Sequence, residues 1–110
     1  MIYVARNPKD ACVSWYYHQK LSEDFQADFA EMAKQYKAGL MTFTPILPHI
    51  IEAWSHRHNP NLYFTTYEKM KQDLASIVQE VAQFMGKDLT AAQLEAILKT
   101  VDIESFRKNK

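Results

Sequence analysis

Arg6 is the side chain whose place in the sequence most directly suggests anion binding. It follows a short apolar run and precedes Asn7 and Pro8, two residues typical of a helix start. An arginine at the carboxyl end of a strand and beside a helix N-terminus can offer its fork of donors to a phosphate. The alternative is a surface arginine that pairs with Asp10, and position alone leaves both interpretations open.

Ser14 and Tyr67 are two further candidates, and each also has an ordinary structural interpretation. Ser14 lies eight residues after Arg6, about two turns into the helix expected after Asn7, where its hydroxyl could reach the same anion. A serine there can instead bond the backbone of its own helix. Tyr67 follows a predicted strand, and a tyrosine in such a place packs its ring and bonds its hydroxyl locally.

The single cysteine and the histidines give no strong catalytic or metal signature. Cys12 cannot form an internal disulfide, which favours a reducing compartment, and it is interpreted as a small packing residue. Its closeness to a helix N-terminus and a lysine leaves open a lowered pKa of the thiol. His49, His56 and His58 lack the i, i+4 spacing of a helical metal pair, so we predict no metal site.

The composition of the 110 residues argues against several classes of protein. Glycine occurs only as Gly39 and Gly86, so the chain has no glycine-rich loop that could cradle a phosphate with its backbone. Thirteen basic and thirteen acidic residues cancel, which argues against a nucleic-acid partner and makes any anion site local. Apolar runs are short and no signal peptide is evident, so we expect no membrane span and a cytoplasmic location.

The elements that must position these residues are two strands and about six helices. Ile2–Ala5 suits a buried strand, and residues 62–65 suit a second strand. Helices are expected over residues 8–21, 22–37 and 49–57, after Thr66, after Asp73 and after Thr90, with residues 41–48 as a loop and with helix ends at Gly39 and Gly86. The opening order of strand, turn and helix implies a parallel sheet. Since two parallel strands are unstable alone, the chain is interpreted as part of a larger α/β domain.

One segment resembles the 3′-phosphate-binding segment of the cytosolic sulfotransferases. The similarity rests on a short apolar strand, then Arg6-Asn7-Pro8-Lys9-Asp10, then a serine eight residues after the arginine. Further similar motifs follow in the family's order: Trp15-Tyr16-Tyr17-His18, Arg57-His58-Asn59-Pro60-Asn61-Leu62-Tyr63, Tyr67-Glu68-Lys69-Met70-Lys71, Phe84-Met85-Gly86-Lys87 and Ser105-Phe106-Arg107-Lys108-Asn109. Together they extend the resemblance over nearly the whole chain.

The resemblance implies a function, a co-substrate and three binding residues. A cytosolic sulfotransferase transfers a sulfonate group from 3′-phosphoadenosine 5′-phosphosulfate (PAPS) to a hydroxyl or amine of a small-molecule acceptor, without a metal. By this resemblance Arg6 and Ser14 bind the 3′-phosphate and Tyr67 lines the nucleotide site, and none of the three is expected to catalyse the reaction. The implied fold is the P-loop-type three-layer α/β fold with a parallel sheet, mostly helical in this chain. Phe43 and residues 41–48 are implied to line the acceptor pocket.

Several parts of the family pattern have no counterpart in these residues. They are the phosphosulfate loop, the catalytic histidine and the closing Arg-Lys-Gly motif, so residues 1–110 are expected to form a partial sulfotransferase domain that is inactive alone. Where the family often has Ser-Phe, with the phenylalanine stacked on adenine, this chain has Asp102 and Ile103, which leaves the adenine contact open. The alternatives are a non-catalytic nucleotide-binding module and a helical interaction module. The acceptor and the oligomeric state are not predicted.

Overall fold

Each of two strands is followed by three helices in a computed structural model that describes residues 1–21 and 25–101. Those residues contain, in order, β1 (Ile2–Ala5), α1 (Pro8–Lys20), α2 (Phe29–Ala38), α3 (Ile46–Ser55), β2 (Tyr63–Thr66), α4 (Tyr67–Gln72), α5 (Leu74–Phe84) and α6 (Ala91–Val101). The chain divides into two compact units, Met1–Tyr67 and Glu68–Lys110. No helix in the described ranges has both the length and the apolar character needed to cross a membrane.

The first unit is built on a parallel pair of strands, as the sequence predicted. β1 and β2 lie side by side, with Ile2 opposite Tyr63 and Ala5 opposite Thr66. The helices α1, α2 and α3 form the crossover between the two strands, because parallel neighbours cannot be joined by a tight turn. The carboxyl ends of both strands therefore meet at one edge of the sheet.

The prediction that β1 is a buried strand is wrong for two of its four residues. Ala5 is buried, whereas Ile2 and Val4 are 46% and 45% exposed. Successive side chains of a strand point to opposite faces, so these two residues share one face. On the other face Tyr3 stacks on its cross-strand neighbour Phe64, with ring centroids 5.4 Å apart. In the described part of the chain, only that face of β1 is well covered.

Local capping rules fix the bounds of α1 and α2. The Asn7 side chain accepts a hydrogen bond from the backbone N–H of Lys9 (3.0 Å), as expected of a cap. The helix predicted over residues 22–37 starts later than expected, since residues 25–28 are not helical. Asp28 caps α2 instead, by accepting a hydrogen bond from Glu31 N–H (2.8 Å). Gly39 ends α2 as predicted, with a left-handed φ of 73°.

The loop predicted over residues 41–48 ends earlier than expected. α3 starts at Ile46 and includes Pro48, and it ends at Ser55 rather than at residue 57. A proline in the first turn of a helix is tolerated because its missing N–H has no partner within the helix there. The second strand is also shifted by one residue, to Tyr63–Thr66.

The second unit contains most of α4 together with α5 and α6, and its helix starts agree with the sequence. The Asp73 carboxylate accepts hydrogen bonds from Ser76 N–H (3.0 Å) and the Ser76 hydroxyl (2.6 Å), which caps α5. Thr90 and Gln93 form the predicted capping box, with Thr90 N–H donating to Gln93 Oε1 (3.0 Å). Gly86 follows α5 with φ 69°. The motif of residues 105–109, Asp102 and Ile103 lie outside the described residues.

Candidate functional site

Arg6 and Tyr67 lie together at the carboxyl edge of the sheet. The strand register pairs Ala5 with Thr66, so the next residue on each strand is Arg6 on one side and Tyr67 on the other. The Arg6 guanidinium carbon lies 4.3 Å from the centre of the Tyr67 ring. At that distance the ring face attracts the cation and holds it in place. Two of the three predicted binding residues are thereby brought into direct contact.

The Arg6 side chain carries a polar atom with no partner. Its Nε is shielded from solvent and makes no hydrogen bond within the described residues. The ion pairs in those residues join Lys34 to Glu31 and Lys69 to Glu80, so the proposed alternative pair with Asp10 is not formed. A buried donor without an acceptor is costly, and an arginine can satisfy it by gripping an anion through two parallel N–H bonds.

Ser14 lies on the exposed surface of α1, six residues after the helix start at Pro8. Ser55 and Thr100 donate their hydroxyls to carbonyls of their own helices, at 2.7 and 2.8 Å. Ser14 makes no such bond among the residues described, and no hydrogen bond joins it to Arg6 or Tyr67. Its hydroxyl is therefore available to a ligand, and a ligand touching both Ser14 and Arg6 would extend along the first two turns of α1.

The cavity beside Arg6 also contains the loop residues assigned to the acceptor pocket. Phe43, Thr44 and Pro48 line it together with Arg6, and its volume is about 600 Å³. Phe43 has a left-handed backbone (φ 65°), unusual for a residue other than glycine, and its ring meets the edge of Trp15 at 5.7 Å. The role of Phe43 in an acceptor pocket stays a prediction.

The sequence interpretation missed two other unpartnered polar atoms. Trp15 Nε1 and Thr65 Oγ1 are both shielded from solvent without a hydrogen bond in the described residues. Thr65 is a buried strand residue two positions before Tyr67. A threonine in a short strand gave no signal that its hydroxyl would be buried without a partner. Trp15 stacks on His18, with ring centroids 5.3 Å apart, which gives that histidine a packing contact.

Cys12 and His49 both have structural contacts. Cys12 is buried, and burial raises the pKa of its thiol, which favours the packing interpretation over a reactive thiolate. His49 Nδ1 lies 2.7 Å from the Tyr3 hydroxyl, and burial raises the pKa of that phenol. Over residues 1–21 and 25–101, no three His, Cys, Asp or Glu side chains are grouped closely enough to hold a metal ion.

The whole chain matches a family of known proteins. Residues 1–110 match the family model described as the sulfotransferase domain. The luciferin sulfotransferase of Photinus pyralis is 38% identical over 110 residues, which cover 100% of this chain and 30% of that protein. Sulfotransferase 4A1 of Homo sapiens is 36% identical over 99 residues, which cover 88% of this chain and 35% of that protein. The chain thus spans about a third of the length of these curated relatives.

Solved structures contain the same arrangement of elements. A retinol dehydratase in complex with androsterone and inactive cofactor PAP superposes with a TM-score of 0.91 at 34% identity, covering 99% of this chain and 32% of that one. Mouse sulfotransferase SULT7A1 complexed with PAP also gives 0.91, at 22% identity, over 99% of this chain and 40% of that one, which is a likeness of fold. The predicted α/β fold, mostly helical here with two parallel strands, is confirmed.

Proposed function

The chain belongs to the sulfotransferase family, and from this premise we propose that it supplies the 3′-phosphate-binding part of an enzyme that uses PAPS. The enzyme would transfer a sulfonate group to a hydroxyl or amine of a small organic acceptor. Support for the co-substrate comes from two retinol dehydratase structures solved with PAP, the adenosine 3′,5′-bisphosphate left after transfer. Support for a small organic acceptor comes from relatives named for luciferin and retinol.

The observation that carries the proposal is the unpartnered Nε of Arg6. The residues fit a phosphate because a fixed guanidinium with a buried free donor lies at the carboxyl edge of a parallel sheet. Ligands of open α/β sheets bind in the crevice beyond those strand ends. In the proposed complex the Arg6 guanidinium donates to oxygens of the 3′-phosphate, which satisfies the donor and neutralises the phosphate charge.

Tyr67 and Ser14 assist Arg6 in different ways. The Tyr67 ring, 4.3 Å from the guanidinium carbon, limits the orientations that Arg6 can adopt before a ligand binds. Less side-chain freedom is then lost on binding, which favours affinity. The Ser14 hydroxyl donates a hydrogen bond to the same phosphate from the exposed side of α1.

None of these three residues takes part in a bond-making step. When bound, PAPS supplies the sulfonate group and a stable bisphosphate leaving group. The role proposed for Arg6, Ser14 and Tyr67 is to hold the nucleotide in one position, so that sulfonate transfer starts from a fixed geometry. A cytoplasmic location is proposed with this function, because a chain with one cysteine cannot form an internal disulfide, as is usual in reducing compartments.

The proposal is tested by calorimetric titration of the 110-residue chain with adenosine 3′,5′-bisphosphate. Arg6→Ala removes a charge-assisted contact and is expected to weaken binding about tenfold or more. Adenosine 5′-monophosphate lacks the 3′-phosphate, so it should bind wild type weakly and should not distinguish the variant.

Arg57→Ala is the matched control for Arg6→Ala. Arg57 also lies over an aromatic ring, with its guanidinium carbon 4.2 Å from the centre of the Trp54 ring, but it already donates to Trp54 C=O at 2.8 Å. Nucleotide affinity should be unchanged in this variant. Equal loss in both arginine variants would overturn the role of Arg6, and no binding by wild type would favour the helical interaction module.

A further inference from the structure

A second cavity lies beside α1 and borders the cavity at Arg6, with which it shares Pro45 and Ile46. It is an open cavity of about 390 Å³ between α1, α2 and the start of α3, with walls that include Cys12, Val13, Phe29 and Ile46. At about 3.6 residues per turn, Cys12 projects from the side of α1 roughly opposite Ser14, and Val13 lies about a quarter turn from Ser14. None of the three residues proposed to bind the nucleotide, Arg6, Ser14 and Tyr67, lines this cavity.

The walls of this cavity are mainly apolar, and the charged residues among them are all positive. Lys9 from α1 and Lys37 from α2 are the charged groups among the described residues that line it. Both lysines are exposed, and neither has an ion-pair partner in the part of the chain described. The cavity therefore presents two positive charges on two different helices beside an apolar wall.

Tyr36 adds a neutral donor to the same wall. Burial raises the pKa of its phenol, and the neighbouring Cys12 raises it further, so the hydroxyl keeps its proton at neutral pH. An apolar cavity with few convergent polar groups is the usual form of a small-molecule site, and 390 Å³ is near the lower end of the range for such sites.

We propose that this cavity binds a small amphipathic monoanion, an aliphatic body carrying one carboxylate. The aliphatic body would contact Val13, Phe29 and Ile46, and the carboxylate would lie between Lys9 and Lys37. Charge complementarity selects the anion, because a neutral or cationic amphiphile of equal length would leave both lysines unpaired or repelled. The inference does not depend on the nucleotide function, since it rests on the lysines and the apolar wall of this cavity and on none of the proposed nucleotide-binding residues.

Decanoate is the probe, titrated into the 110-residue chain below its micelle-forming concentration. We expect saturable binding of one molecule per chain, with 1-decanol binding at least threefold more weakly. Hexanoate should also bind more weakly, by up to about fourfold for each methylene group removed. Adenosine 3′,5′-bisphosphate should not displace decanoate, which separates this site from the proposed nucleotide site.

Two kinds of variant locate the site. Lys9→Gln with Lys37→Gln should weaken decanoate binding about threefold to tenfold while leaving decanol unaffected. Lys34→Gln is the matched control, because Lys34 belongs to α2, does not line the cavity and should leave decanoate affinity unchanged. Ala33→Phe places a ring in the cavity and should abolish binding of both probes, with circular dichroism confirming that the variant is folded.

Three results would overturn the inference. They are decanol binding as tightly as decanoate, decanoate binding that the double lysine variant leaves unchanged, and uptake that never saturates. The double lysine variant changes only exposed side chains, so it decides the question even if Ala33→Phe does not fold.

Discussion

At the scale of single residues, the proposed site depends on donors that the protein does not use internally. Arg6 Nε is buried without a partner, and the Ser14 hydroxyl is exposed without one in the described residues. The sequence identified both residues, because a motif can be matched position by position. It did not predict that Arg6 would contact Tyr67, since that contact depends on the register of two strands far apart in the chain.

Ser14→Ala tests the second donor at this scale. Loss of a hydrogen bond to a charged phosphate from an exposed hydroxyl is expected to weaken binding of adenosine 3′,5′-bisphosphate about threefold to tenfold. Titration calorimetry measures the effect. Ser55→Ala is the control, because Ser55 donates to Glu52 C=O (2.7 Å) and is not assigned to the site. If Ser14→Ala binds like wild type, Ser14 has no role in holding the phosphate.

At the scale of elements, three helix starts agree with the capping residues read from the sequence, and two other helix starts were misplaced. Asn7, Asp73 and Thr90 cap helices as the sequence predicted, because a capping side chain bonds backbone only two or three residues away. The start of α2 was placed too early because an apolar period continued through residues that Asp28 keeps outside the helix. The start of α3 was placed too late because two prolines, Pro45 and Pro48, indicated a loop, although a proline is allowed in a first turn.

Met32→Ala tests the packing of α2. Met32 has no exposed surface, so its truncation should leave a cavity and lower the free energy of unfolding by about 2–5 kcal/mol. Urea denaturation followed by circular dichroism measures the loss. Leu40→Ala removes a side chain that is 77% exposed and should change the free energy by less than about 0.5 kcal/mol. Similar losses for both would contradict the placement of Met32 in the core.

Asp73→Ala tests the cap of α5 through its pH dependence. The Ser76 hydroxyl, and then the Ser76 N–H, hold the pKa of the Asp73 carboxyl below its ordinary value. The carboxylate therefore stabilises the fold above the ordinary pKa of an unfolded aspartate, near 3.9, and that contribution is lost as pH falls through the lower folded value. Wild type should melt above the variant at pH 7, and the difference should shrink toward pH 3.

Thermal unfolding at pH 7, 5 and 3 measures this difference. Asp88→Ala is the comparison at pH 7, because Asp88 is an exposed aspartate outside the helices, and it should change the melting temperature little. A difference between wild type and Asp73→Ala that grows on acidification would contradict the cap.

At the scale of the whole molecule, the zero net charge and the exposed apolar surface both favour association between molecules. The formal net charge at pH 7 is zero. Leu21, Phe43 and Ile51 are each at least 66% exposed in the structure. Little electrostatic repulsion then opposes contact between apolar side chains of different molecules. The composition gave the charge balance directly, but exposure required the fold, because an apolar residue type does not say whether its side chain is covered.

Solubility should accordingly pass through a minimum near pH 7. We expect it to rise on either side as the net charge departs from zero, with the apolar surface unchanged. Precipitation by polyethylene glycol across pH 5 to 9 measures the effect. The variant Leu21→Lys adds charge and removes an exposed apolar side chain, so it should raise solubility at pH 7. A solubility that does not vary over this range would contradict the expectation.

The contact between Arg6 and Tyr67 joins two positions that are separated by the whole crossover of the first unit. An unfolded chain cannot present both groups to one ligand, so a nucleotide held there binds the folded form alone. By mass action, a concentration one hundred times the dissociation constant would then add about 2.7 kcal/mol to the stability of that form. A higher nucleotide concentration would then protect a larger fraction of the protein from proteolysis. The co-substrate site would thus also stabilise the pairing of β1 with β2.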